Sequence, residues 1–287
     1  MHLGKTWLGL LGILGIWLTA GLTLPLVNVL TMFTPGQLMV VRGFLTAAIA
    51  LIALRGTLGH VDRYTYLIAL TGPFALLGLY EGIRHLGAGP AIIIVTATPL
   101  VNFVIGLFSR RRLSAVTIVA FLLVLGGVVM ARWGGTFNWT GFLWIVLGTI
   151  LNGILYELFN RASAQPLQKC FWAAIGMGTL GLVLSTNASW PSVTDLKLIA
   201  YVVGFAFVGG FLYWVANVIA FANLPVNEAS VLAQGETLFV LVGAMIFLGE
   251  HLTLVQWIGV AIALLGTGYL SWSETPSARP SLTLDAR

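Results

Sequence analysis

The sequence predicts an all-α membrane protein with ten transmembrane helices arranged as two inverted five-helix repeats. Three observations lead there: a composition too apolar for a hydrated surface, apolar stretches that recur at membrane-spanning length, and a second half that restates the first. Of 287 residues, 59% are hydrophobic and only 8% charged, and mean hydropathy is +0.99. A soluble domain carries about 25% charged residues to keep its surface wet. A bilayer core about 30 Å thick takes roughly 20 apolar residues per crossing, so a chain of 287 residues has room for about ten crossings and little else.

The helices follow from the apolar runs and their punctuation. The first is expected over 6–30 after Lys5; it is longer than a signal-peptide core, and no small-residue cleavage pattern precedes the next run. Pro35 opens the second, 35–54, and the Arg55 to Arg63 segment separates it from the third, 65–86. Gly87 to Pro90 leads into the fourth, 90–108, and the Arg110-Arg111-Arg112 cluster into the fifth, 114–131. Beyond Gly134-Gly135 comes the sixth, 140–161, and Pro166 precedes the seventh, 167–185. The Asn187 to Asp195 loop and Pro225 frame the eighth, 198–222; the ninth and tenth follow at 227–248 and 253–272. The remainder, 273–287, is polar and Pro-rich and is expected to be a disordered cytoplasmic tail. Pro25 and Pro99 are placed to kink the first and fourth helices.

Assigning alternate loops to opposite faces separates the basic residues. Lys5, Arg55, Arg63, Arg110, Arg111, Arg112, Arg161, Lys169, Arg279 and Arg287 fall on one face, and Arg84, Arg132 and Lys197 on the other. With Arg42 inside the second helix these account for all 14. The bias puts both termini in the cytoplasm and favours an even number of spans. Net charge is +5, but the basic residues form no stripe, which speaks against a nucleic-acid partner. Cys170 is the only cysteine, excluding an internal disulfide and a multi-cysteine metal site. The four histidines, His2, His60, His85 and His251, lie near helix ends or loops. No His-Glu-x-x-His motif or buried Ser-His pair suggests an enzyme, and no catalytic residue, metal or cofactor is expected.

An internal repeat is legible. Leu107-Phe108-Ser109-Arg110-Arg111-Arg112-Leu113-Ser114 aligns with Ile246-Phe247-Leu248-Gly249-Glu250-His251-Leu252-Thr253. Leu8-Gly9-Leu10-Leu11 aligns with Thr140-Gly141-Phe142-Leu143, and Pro35-Gly36-Gln37 with Pro166-Leu167-Gln168. Units of 1–133 and 134–272 with five helices each must enter the membrane from opposite sides, the inverted plan of secondary transporters.

With Arg42, Pro99, and Glu236 followed by Gly249-Glu250-His251-Leu252, the chain resembles the drug/metabolite transporter superfamily, specifically two EamA-type repeats. The family carries Glu-Pro and Gly-Glu-Arg-Leu patterns; Thr237 and three arginines depart from them here. The resemblance implies a multi-pass exporter in a bacterial-type inner (plasma) membrane. It would move small metabolites by alternating access through a cavity formed by helices one, three and four of each repeat. Amino-acid exporters, for aromatic and other amino acids, are one group in the family. The expected function is therefore export of amino acids, aromatic ones included, or related small metabolites. Broad-specificity drug or cation efflux and a lipid-flipping or structural subunit are the alternatives. The partners are then a small-molecule substrate and the lipid bilayer; oligomeric state is left open.

Ionisable groups at mid-bilayer cost on the order of 3 kcal/mol and need a partner, a wet cavity or a function. Glu236, in the ninth helix, reads as a cavity carboxylate for a substrate ammonium or a proton, or else as a hydrogen-bonded residue within the bundle. Asn227, Ser230 and Gln234 add a second polar side to that helix. Arg42 is expected to pair with Glu81, as a structural bridge or as a clamp for a substrate carboxylate. Thr149, Asn152, Gly153, Tyr156, Glu157 and Asn160 make one polar stripe on the sixth helix that should face inward, though Glu157 has Arg161 four places on as a competing partner. Trp7, Trp133, Trp139, Trp190 and Trp272 read as interfacial anchors. Trp17, Tyr213 and Trp214 at mid-helix, and Tyr80 beside Glu81, are candidate aromatic walls. The substrate-binding candidates are thus Trp17, Tyr80, Glu81, Asn102, Asn152, Tyr156, Tyr213, Trp214, Gln234 and Glu236.

Overall fold

The computed structural model describes residues 2–59, 61–107, 115–131, 138–192 and 194–274. The Arg110–Arg112 cluster, Arg132, Trp133, His60, the tail beyond 274 and the side chains of Asn227 and Trp272 lie outside what is described. Among the described residues every regular element is helical. In order they are α1 (His2–Thr23), α2 (Leu26–Val29), α3 (Pro35–Ala53), α4 (Arg63–Leu86), α5 (Ala88–Val95), α6 (Thr98–Leu107) and α7 (Ala115–Ala131). Then come α8 (Trp139–Arg161), α9 (Pro166–Ser185), α10 (Leu196–Ala206), a π-helical segment (Phe207–Leu212), α11 (Tyr213–Asn223), α12 (Val226–Ala233), α13 (Glu236–Leu248) and α14 (Leu254–Glu274). Among the described residues, seven segments are long and apolar enough to cross a membrane: Lys5–Val29, Pro35–Ala53, Arg63–Leu86, Trp139–Arg161, Pro166–Ser185, Leu196–Asn223 and Glu228–Leu248. Three shorter apolar helices lie at 88–102, 118–130 and 254–269.

Local chemistry explains where the helices start and break. Thr34-Pro35 and Gln165-Pro166 open α3 and α9 alike, each with proline at the first helical position and a capping box closed by Gln37 or Gln168. Pro25 divides α1 from α2 as expected of a residue without an N–H. At Pro99 the carbonyl of Val95 loses its helical donor, and the Thr98 hydroxyl donates to it instead at 2.7 Å; the span is thereby cut into α5 and α6. The cut between α12 and α13 has no proline. The Gln234 N–H turns to Val231 O, and the Gln234 side-chain Nε2 donates to the vacated Ser230 carbonyl at 3.0 Å. Each turn leaves the backbone satisfied at a depth where water is scarce.

The bundle is held by close helix crossings. α3 packs on α9, α4 on α8 and α9, α7 on α14, and α1 on α11 and α13. The α3–α9 and α4–α8 crossings are glycine contacts: a Cβ on Gly43 would lie 2.4 Å from the Gly178 nitrogen, and one on Gly78 2.7 Å from the Gly148 nitrogen. Such approach lets backbones touch over long stretches, the main attractive term where lipid is as apolar as leucine.

At the face where α4 begins and α8 ends, Asp62 ties the two. Its Oδ1 accepts from the Thr65 N–H and hydroxyl, both at 2.8 Å. Its Oδ2 accepts from the Ser163 N–H at 2.6 Å and the Ser163 hydroxyl at 2.7 Å. Burial alone would push this carboxyl up, but the bonds from Ser163 and Thr65 outweigh it and hold the group well below the usual carboxylate range. A depressed folded value stabilises above the ordinary pKa near 3.8, and that stability is lost as pH falls through the lower folded value. Asp62→Ala should therefore cost about 1 kcal/mol at pH 7. The thermal midpoints of wild type and variant should converge only in strong acid; a constant difference down to the lowest pH tolerated would refute the assignment.

At another end, α13 finishes on Gly249 in the left-handed region (φ 65°), and the Glu250 carboxylate accepts from Ala88 N at 3.1 Å and Gly89 N at 2.9 Å. A charge more than 160 positions along the chain thus caps α5, giving the Gly249-Glu250 pair a structural role.

Candidate functional site

A chamber lies between α4, α5, α8, α11 and α13, lined among others by Thr149, Asn152, Tyr156, Phe159, Tyr213, Trp214, Asn217 and Glu236. Its free space is about 30 Å³, enough for roughly two waters. Glu236 opens α13 at only 2% exposure, and its Oε2 has no hydrogen-bond partner. The helix's own N-terminal end supplies a positive potential there. Trp214 also faces this space, and its Nε1 is unpartnered. Two of the lining residues thus carry an unmet polar atom, an acceptor on Glu236 and a donor on Trp214, and no basic side chain is among the lining residues.

The walls are ordered by aromatic contacts and short polar links. Tyr156 stacks on Phe221 with centroids 4.1 Å apart, and Phe159 meets Trp214 edge-on at 5.6 Å. Asn152 Nδ2 donates to the Tyr156 hydroxyl at 3.1 Å, and Asn217 Nδ2 to the Tyr213 carbonyl at 2.9 Å.

Of the ten candidates read from the sequence, Asn152, Tyr156, Tyr213, Trp214 and Glu236 are brought together here. Trp17 lies elsewhere: its Nε1 donates to Leu232 O at 2.8 Å and its ring stacks on Phe239, joining α1 to α12 and α13. Accordingly α1 adds no lining residue. Gln234 is spent on the α12–α13 turn, though its Oε1 is unpartnered. Asn102 is buried beside Gly153 with both amide atoms unpartnered, outside the lining. The α8 stripe divides: Thr149, Asn152 and Tyr156 face the chamber, while Glu157 pairs with Arg161 at 2.7 Å and Asn160 is exposed, because this end of α8 nears the membrane surface.

The expected Arg42–Glu81 pair does not form. Arg42, 1% exposed, donates from Nη1 to the Tyr80 hydroxyl at 2.5 Å. Its guanidinium lies 5.4 Å from the Tyr213 ring centre, 5.7 Å from Phe205 and 5.9 Å from Tyr80. Glu81, one residue on, points 100° around α4 and meets His85 at 3.8 Å. Aromatic faces replace the carboxylate as the partner of the cation. Tyr80 is thereby a wall of the Arg42 cage and not of the chamber, and Tyr213 belongs to both. Because only a planar guanidinium can serve three rings, Arg42→Lys should cost about 2 kcal/mol of stability, more than the uncharged Arg42→Met. A thermal-shift comparison in which Lys is the better-tolerated residue would contradict this.

Asn217 and Phe159 were not singled out in the sequence. Both are recoverable from helical spacing, four residues after Tyr213 and three after Tyr156. The α4 contribution, Ala75, Leu76 and Leu79, carries no polar signal at all.

A membrane-spanning helical bundle with a buried polar chamber at broken helices is the build of a solute-handling membrane protein. Residues 139–272, from α8 into α14, match the model of the EamA-like transporter family. The superfamily resemblance drawn from the sequence agrees with it. A solved structure described only as "Crystal structure of protein" shares the fold, with a TM-score of 0.65 over 92% of this chain and 98% of that one, at 16% identity. No curated protein matches the sequence.

Proposed function

We propose that the protein exports small amine-bearing solutes, amino acids including aromatic ones among them, by alternating access around the Glu236 chamber. The observation that carries the reading is that two residues lining one small space walled by aromatic rings carry unmet polar atoms, a carboxylate oxygen of Glu236 and the Nε1–H of Trp214. An ammonium group satisfies the first through a charge-assisted bond and a cation–π surround; a carboxylate satisfies the second. Asn152, Tyr156 and Tyr213 complete the proposed site. The space now present is too small for such a solute, so binding requires the walls to part. The mid-span turns at 95–98 and 233–236 are natural hinges, since tightened turns inside a helix yield more easily than its ladder.

Two inverted repeats, 1–133 and 134–272 in a ten-span chain with cytoplasmic termini, suit this mechanism. Support comes from the pattern of crossings. Counting α1–α2 and α5–α6 as single spans, and likewise α10–α11 and α12–α13, adding five to each span number exchanges α1·α11 with α4·α8 and leaves α3·α9 and α7·α14 unchanged. The offset of 139 that aligns Leu107 with Ile246 also carries the turn at Ala97 onto the turn at Glu236. A second reading, efflux of lipophilic cations, is favoured by the lack of any basic residue in the lining. Counterflow in liposomes with a panel of amino acids and of organic cations tests both. Movement of amino acids supports the first reading and of cations alone the second; movement of neither refutes the proposed function.

A further inference from the structure

Beside the chamber lies a groove of about 470 Å³, lined by Ile94, Ala97, Leu100, Val101, Val104 and Ile105 of the α5–α6 span, Leu125 and Val128 of α7, and four apolar residues of α8 together with Thr149. It is wide where the chamber is tight. The wall between the two is one side chain thick. Thr149 lines both spaces; on the opposite side the chain alternates, with Val95 facing the chamber and its neighbour Ile94 facing the groove. That wall coincides with the break between α5 and α6, where the helical ladder is interrupted at Thr96-Ala97. The groove's outer rim is open toward lipid, with Val104 and Ile150 both more than two-fifths exposed. Another large apolar groove, about 490 Å³ between α1 and the π segment with α11, shares no lining residue with the chamber.

We infer that the α5–α6/α8 groove is the seat for the apolar tail of an amphiphilic ammonium solute whose charged head sits at Glu236, and that the two are joined by a lateral passage past Thr149 and Val95. The inference rests on the proposed role of Glu236. Continuity and charge argue for this occupant: a purely apolar groove opens one residue away from a chamber whose single titratable lining group with an unmet atom is a carboxylate. A molecule with a cationic end and a hydrocarbon end satisfies both compartments at once. A phospholipid acyl chain satisfies the groove alone. Parting α5–α6 from α8 at the break widens the chamber toward the bilayer while the remaining ladder of each helix stays intact.

The test uses the full-length protein in lipid nanodiscs, with tetramethylammonium as a head without a tail and decyltrimethylammonium as the same head with one. The fixed charge keeps protonation out of the measurement. Partition of the long probe into lipid is common to all variants and cancels in the ratio of the two dissociation constants. In Ile150→Trp and Val104→Trp, which fill the groove without touching the chamber lining, that ratio should shift against the long probe by at least about tenfold, the cost expected when a ring occupies space a chain needs. Tetramethylammonium binding should stay at the wild-type level and certifies the fold. Leu18→Trp, which fills the α1 groove, should leave the ratio unchanged. An unchanged ratio in both groove variants overturns the passage, whether or not phospholipid is found there. Equal losses in all three variants overturn it too, because they would reflect general disturbance. If tetramethylammonium fails to bind the wild-type protein, the Glu236 reading itself falls, a separate failure read from a separate probe.

Discussion

Glu236→Gln weakens binding of a small ammonium solute about 30-fold, or about 2 kcal/mol, while leaving the thermal midpoint unchanged or raised. Glutamine keeps the shape of the side chain and removes the charge. The carboxylate loses its attraction for a cation, the largest single term available in a chamber whose lining offers no other charge. For the empty protein the sign reverses. A group 2% exposed with an oxygen that has no partner costs stability when ionised, and neutralising it relieves that cost. Opposite movements of affinity and stability distinguish a binding group from a structural one. Titration of ligand against the intrinsic fluorescence of Trp214, which shares the chamber, together with a melting curve, checks both. If the midpoint drops sharply while affinity holds, Glu236 is a structural residue and the chamber is not the site.

Gly43→Leu abolishes the folded protein. A Cβ at this position would meet the Gly178 nitrogen at 2.4 Å, the Gly178 Cα at 2.7 Å and the Ala174 carbonyl oxygen at 2.8 Å. All three are backbone atoms on α9, so no rotamer change relieves the clash, and the helices must separate along their length. Overpacking against yielding side chains costs about 1–3 kcal/mol; separating a backbone contact forfeits the crossing as well. Gly43→Leu should therefore yield no monodisperse protein after extraction, while leucine at Gly268, where a Cβ has open space, should be tolerated. Recovery of well-behaved Gly43→Leu would mean that the α3–α9 contact does not hold the bundle.

The two substitutions differ in how readable their positions were. Glu236 announced itself, because a lone carboxylate inside an apolar run is costly wherever the run ends up. Tyr156, Tyr213, Trp214 and Asn152 were also visible as polar or aromatic groups at mid-helix, and all five meet at the chamber. Trp17 and Tyr80 gave the same signal and were drawn elsewhere, one to the Leu232 carbonyl and the other to Arg42. Nothing in their own sequence neighbourhoods separates the two groups. Gly43 could not be told from other glycines, since its importance depends on which helix lies opposite.

The amino-acid sequence by itself determined the all-helical, apolar character of the chain and most of the helix boundaries among the described residues. These depend on solvent preference, proline geometry and capping, which act within a few residues of chain. Partner choice was decided only in three dimensions. Arg42 found three rings instead of Glu81 because α11 and α10 bring Tyr213 and Phe205 to it, while Glu81 turns away around its own helix. Likewise the capping of α5 by Glu250 joins residues more than 160 positions apart. Burial, clash and desolvation are properties of pairs of surfaces. No single strand of sequence carries them, and they exist only once the helices have crossed.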